Sequence, residues 1–186
     1  MALSFAGNGT ITGLSVGGLP DGTVDGDTLA SGTGGKILQV VSSTKTDSAT
    51  TNSTSFVDSG LQVIITPSAT SSKIFLMITL GAVGVQTVDE RVFFQLTGGN
   101  TSSYIGDAGT GHEAAFSWTL RGNDAYAMTT VVGSYLDSPS TTSAVTYTLQ
   151  WKTTSSASSF TLNKPYTLDA NGSNNASTMT AFEISA

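Results

Sequence analysis

Val145, Tyr147, Leu149 and Trp151 alternate along the chain with Thr146, Thr148, Gln150 and Lys152. A period of two sends one set to each face of a strand, so this segment needs a sheet with one dry face and one wet face. Leu61, Val63 and Ile65 repeat the pattern within FVDSGLQVIIT. In RVFFQLT, Val92, Phe94 and Leu96 alternate with Arg91, Phe93 and Gln95. One face of that strand belongs in a core, which leaves Phe93 in need of a second apolar environment.

The rest of the chain from Lys36 onward has the same texture. KILQVV reads as a first strand, followed by a polar excursion, TKTDSATTNSTS, with no periodic apolar face. SKIFLMITLGAV is the most hydrophobic stretch and is expected to be the central strand, buried on both sides, with Gly81 and Gly84 bending or bulging its end. Pro67 closes the strand before it, because proline cannot donate to a ladder. GGN at 98–100 is a turn signal. SYIGD, EAAFSWTL, YAMTTVVGSYL, SFTLN and STMTAFEIS supply further short strands broken by Gly, Asn, Asp, Ser or Pro.

Nine or ten strands joined by short turns, with no helical period and no βαβ rhythm, define an all-β class. The strand count fits a jelly-roll-like β-sandwich over residues 36–186. The chain reaches Ala186 inside its last strand-like segment, so that end is expected to lie in the sheet.

Residues 1–35 differ. They are rich in Gly, which disfavours a helix, yet apolar hooks recur at Leu3, Phe5, Ile11, Leu14, Val16, Leu19, Val24 and Leu29. Hooks on an extended, turn-broken segment suit an arm laid against a partner, so this segment is expected to be an extended N-terminal attachment arm.

Composition removes several functions. Charged residues are 11% of the chain and Ser plus Thr nearly a third, so the surface is wetted by hydroxyls and amides rather than ion pairs. A net charge of −6 and seven basic residues spread singly argue against a nucleic-acid partner. The absence of Cys removes disulfides, thiolate nucleophiles and Cys-based zinc sites. MALSFAGNGTITG has neither a positive n-region nor a long apolar h-region, so secretion by a conventional signal is not expected. The longest apolar run, Ile74 to Ile78, is too short for a membrane-spanning helix.

Side-chain chemistry is equally thin. Asp25 with Asp27, Asp89 with Glu90, and Asp107 near Glu113 are the closest carboxylates, but most sit beside Gly or Ser in turns, where an Asx-turn is the simpler task. DGTVDGD at 21–27 lacks the full calcium-loop pattern. His112 is the only histidine. No GxSxG elbow, dinucleotide fingerprint or P-loop is present. No catalytic, metal or cofactor site is expected, and the chain is read as not an enzyme. Aromatics are the better handle: Tyr104, Tyr126 and Tyr166 lie near turns and are candidates for contact with a receptor, whereas Trp118 and Trp151 suit a core.

Four segments carry a family resemblance: TITGLSVGGLPDGTVDGDTLA at 10–30, GGKILQVVSSTKTDSATTNSTSFVDSGLQVIITPSATSSKIFLM at 34–77, YLDSPSTTSAVTYTLQWKT at 135–153 and MTAFEIS at 179–185. In these the chain resembles small phage virion proteins, especially from viruses of marine and freshwater bacteria. The resemblance implies a tail-fibre, head-fibre or capsid-decoration protein, a homotrimer with β-rich lobes whose N-terminal segment attaches to the particle. The implied partners are further copies of the chain, a major capsid or tail protein and, for a fibre, a host surface glycan or protein. The implied location is the capsid surface or a tail appendage. Capsid decoration or cement, or a short head fibre, is the first expectation, because the chain has no long coiled coil or triple β-helical shaft. Receptor binding by a tail fibre is the second, through turns at 98–113, 121–127 and 169–176.

Overall fold

The computed structural model describes residues 36–86, 90–100, 128–167 and 173–185 in full, and the backbone at 4–5, 11–12 and 117–121. The chain divides into two compact units, Met1–Lys36 and Ile37–Ala186. In the first, β1 (Ser4–Phe5) and β2 (Ile11–Thr12) pair antiparallel, with Phe5 opposite Ile11. Leu3, Leu14, Val16, Leu19, Val24 and Leu29 lie outside the described residues, as do the side chains of Phe5 and Ile11.

Among the described residues the second unit holds ten strands: β3 (Ile37–Lys45), β4 (Ala49–Thr51), β5 (Val57–Ile65), β6 (Lys73–Val85), β7 (Arg91–Thr97), β8 (Ser117–Arg121), β9 (Met128–Asp137), β10 (Val145–Thr153), β11 (Phe160–Leu162) and β12 (Ser177–Ile184). No helix occurs among the described residues. The all-β expectation is met.

The jelly-roll-like β-sandwich is not. The strands form two open sheets, one ordered β5-β10-β7-β8 and one ordered β3-β12-β6-β11-β4 with β9 added beside β6, and neither closes into a barrel. The reason lies in β6. Its thirteen residues take β9 along one edge and two strands in tandem on the other, β12 against its first half and β11 against its last three residues. One long strand thus does the joining that a jelly roll distributes over several strands.

Alternation sets the core. Leu61, Val63 and Ile65 of β5, Val92, Phe94 and Leu96 of β7, and Tyr147, Leu149 and Trp151 of β10 meet Ile74, Leu76, Ile78 and Leu80 of β6, Phe160 and Leu162 of β11, and Met179 and Ala181 of β12 in one cluster. Phe94 stacks beside Trp151 with ring centroids 6.4 Å apart. β6 is the central strand, as expected, but it is not buried on both sides along its length: its first half alternates between buried and exposed, and only Ala82 to Val85 are buried throughout. Its register with β9 shifts between Leu80 and Val83, so Gly81 lies in a bulge and Gly84 just beyond it, back in register opposite Met128. A Cβ on Gly81 would lie 2.2 Å from the Ala176 carbonyl oxygen, which explains why no larger residue stands there.

The polar excursion between KILQVV and FVDSGLQVIIT, which has no periodic apolar face, contains paired strand. β3 runs on to Lys45, and Ala49–Thr51 forms β4 against β11. Buried Asn163, in the left-handed conformation at φ 65°, donates from Nδ2 to the carbonyls of Lys45 (2.8 Å) and Asp47 (3.0 Å), and accepts from Ser177 Oγ at 2.6 Å. Asn tolerates that conformation better than most residues.

The two sheets are tied at one corner. Asp137, the last residue of β9, is buried and its Oδ2 accepts from the Tyr147 hydroxyl of β10 at 2.6 Å. The Asn100 backbone N–H reaches the same oxygen at 3.3 Å, and Asn100 Nδ2 donates to the Ser138 carbonyl at 2.5 Å. The expected turn at 98–100 brings Asn100 there: Gly98 and Gly99 have φ 118° and 59°, and a Cβ on Gly99 would strike Asp137 Oδ2. Burial, and then the Asp137 carboxylate, hold the Tyr147 phenol well above its ordinary pKa.

Candidate functional surface

Cross-strand partners share a face, so the register of β3, β12, β6 and β9 defines the outer surface of the larger sheet row by row. One row is Val40, Phe182, Phe75 and Leu136; the next is Ser42, Thr180, Met77 and Ser134; a third is Thr44, Thr178, Thr79 and Val132. Ile37, Ile184 and Lys73 form the border row. Lys73 is the only charged residue in these rows.

The apolar members of this face are open to solvent. Ile37 is 56% exposed, Val40 55%, Met77 49%, Val132 67% and Leu136 47%. At roughly 180 Å² for a fully exposed side chain of this size, the five present on the order of 500 Å², near the upper end of the largest apolar patch on an ordinary monomer. Phe75 and Phe182, half-buried with ring centroids 6.2 Å apart, continue the patch between them. A groove of about 510 Å³ runs between β6 and β9, walled by Phe75, Met77 and Val132 and floored by Ile78 and Gly133.

The opposite sheet presents a different outer face. Asp58, Gln150 and Gln95 lie in one row across β5, β10 and β7. Gln150 Nε2 donates to Asp58 Oδ1 at 2.6 Å, and Gln95 Nε2 donates to Gln150 Oε1 at 2.5 Å. The Lys152 ammonium lies 5.1 Å from the Phe56 ring centre and 5.7 Å from that of Phe93, a favourable placing of a cation over aromatic faces. Phe93 is buried within the chain itself, so its second apolar environment does not require a partner.

Among the described residues the one fully buried glutamate, Glu183, serves the fold. Glu183 of β12 accepts from Ser68 N, Ser68 Oγ and Gln39 Nε2, each at 2.6 Å. Burial pushes this carboxyl up, but the Ser68 and Ser72 hydroxyls, the Gln39 amide and the Ser68 N–H outweigh it and pull the pKa down to about 2. Gln39 also donates to the Thr66 carbonyl at 2.6 Å, so the carboxylate links β3 and β12 to the β5–β6 connection. Of the carboxylate pairs considered in the sequence, Glu90 is described and accepts from Thr154 Oγ1 at 2.8 Å; Asp25, Asp27, Asp89, Asp107, Glu113 and His112 lie outside the described residues. Among the described residues no group of three potential ligands is placed to hold a metal ion. No helix there is long and apolar enough to cross a membrane.

Tyr104 and Tyr126 lie outside the described residues. Tyr166 is half-buried, with its backbone N 2.8 Å from where a Cβ on Gly84 would stand. It therefore sits against the end of β6. Sequence reasoning missed the outer apolar face. The available signal was the consecutive apolar residues in Val40-Val41, Ile74-Phe75-Leu76-Met77-Ile78 and Val131-Val132, since adjacent strand residues point to opposite faces and one of each pair must leave the core. The chain matches no protein-family model and no curated protein.

Proposed function

We propose that the chain is a non-enzymatic structural protein of a virus particle, a capsid decoration or cement protein or short head fibre, attached through residues 1–35. The observation that carries the reading is the outer face of β3, β12, β6 and β9. An apolar patch of that size on open display is what an assembly component has before it is covered. The surrounding structure is consistent with a scaffold: the buried polar groups Asp137, Asn163 and Glu183 are engaged in joining strands and sheets. The resemblance in the segments at 10–30, 34–77, 135–153 and 179–185 supplies the particle.

The test is to purify the particles of the virus encoding the chain, detect it by mass spectrometry, and locate it with antibody raised against residues 37–186. Label over the shell is the expected result. Label confined to a tail appendage would replace decoration by receptor binding, and particles lacking the chain would overturn the reading.

A further inference from the structure

We infer that the outer face of β3, β12, β6 and β9 is where copies of this chain meet one another. The inference rests on reading that face as an assembly surface, and it names the occupant. Three observations favour a second copy over an unrelated partner.

The first is shape. A surface that binds its own copy must offer both a projection and a recess. This face has both: Met77, about half exposed, and Val132, about two-thirds exposed, line the groove between β6 and β9. The side chain that walls the groove on one copy is the size and chemistry to enter it on the next.

The second is charge. The molecule carries a net charge of −6, so two copies repel at long range. The face contains no carboxylate in its four rows, and Lys73 at the border is its one charge. It is therefore a surface on which like-charged molecules can touch without opposing carboxylates. The third is area. The five exposed apolar side chains of these rows supply on the order of 500 Å², and the Phe75–Phe182 pair with the intervening Ser and Thr rows brings the face towards the roughly 800 Å² per partner of a standard interface.

Sedimentation velocity on the full chain between 1 and 100 µM tests this. The expected result is a species of at least two chains, favoured by added salt because salt screens the repulsion between acidic copies. Val132→Asp should weaken the association by roughly 30-fold or more. Ile64→Asp, on the outer face of the smaller sheet, should leave it unchanged. A thermal melt of each variant checks that it folds. Should Val132→Asp fail to fold, a spin label on Val132→Cys, unambiguous because the chain has no other cysteine, must report a short distance between copies. A single-chain mass at 100 µM, association untouched by a folded Val132→Asp, or labels that stay far apart would each overturn the inference. Self-association without label on particles would sink the virion reading and leave this one standing; label on particles with a single-chain mass in solution would do the reverse.

Discussion

Removing the Tyr147 hydroxyl tests whether the corner between the sheets is a stabilising tie. In Tyr147→Phe the ring stays and the core packing with it, but Asp137 Oδ2 loses its 2.6 Å donor and keeps the Asn100 N–H at 3.3 Å. A hydrogen bond to a charged group contributes about 1.5–3 kcal/mol, and the loss is felt in full when the acceptor remains buried. Asp137 is 2% exposed, so water does not readily replace the phenol. For a domain of this size each kcal/mol moves the midpoint by a few degrees, which places the melting temperature of the variant roughly 3–12 °C below that of the parent. Urea denaturation at pH 7, with Asp137→Asn and the double variant completing a cycle, separates the pair energy from the single losses. The coupling should be about 1 kcal/mol or more. A Tyr147→Phe loss under about 0.5 kcal/mol, with no coupling to Asp137, would refute the tie.

Two further perturbations address other parts of the fold. Glu183 has its pKa lowered from 4.5 to about 2 by its donors; its contribution is therefore complete above pH 4.5 and is lost as the pH falls from there towards 2. Glu183→Gln should cost about 1–3 kcal/mol at pH 7, and its urea midpoint should fall less steeply between pH 4.5 and 2 than that of the parent; parallel pH profiles would count against the assignment. Gly81→Ala places a Cβ 2.2 Å from a backbone oxygen that no rotamer change can move, so a loss of about 1–3 kcal/mol is expected from overpacking. A midpoint equal to the parent's would mean that Ala176 yields freely.

The class of the fold was legible because alternation is local. The faces of β5, β7 and β10 follow from Leu61 to Ile65, Val92 to Leu96 and Val145 to Trp151 without any knowledge of their neighbours. The central place of β6, its bulge near Gly81 and the turn at Gly98-Gly99 were legible for the same reason. What escaped was decided at long range. β4 is a strand because β11 lies beside it and Asn163 holds the preceding turn, and nothing in Ala49-Thr50-Thr51 announces either. The jelly-roll expectation failed because strand count does not determine which edges meet; the tandem seating of β12 and β11 along β6 is visible only once all three are folded. The outer apolar face was overlooked because hydrophobic residues were assigned to the core by default, although Val132 and Met77 have the wrong parity for it.

The place of β12 between β3 and β6 also governs the order of events during synthesis. β3 is the first strand of its unit to leave the ribosome, and its sheet neighbour, Ser177–Ile184, is the last, with Ser42 meeting Thr180 across a separation of 138 residues. Until that neighbour emerges, the hydrogen-bonding edge of β3 that it will occupy is unfilled, and the gap beside the first half of β6 stands open. Closure of so distant a pairing is slow by nature. A chain arrested before Ser177 would therefore be open to proteases and to the edges of other chains, and pairing of Ser177–Ile184 with both β3 and β6 is the step that removes that exposure.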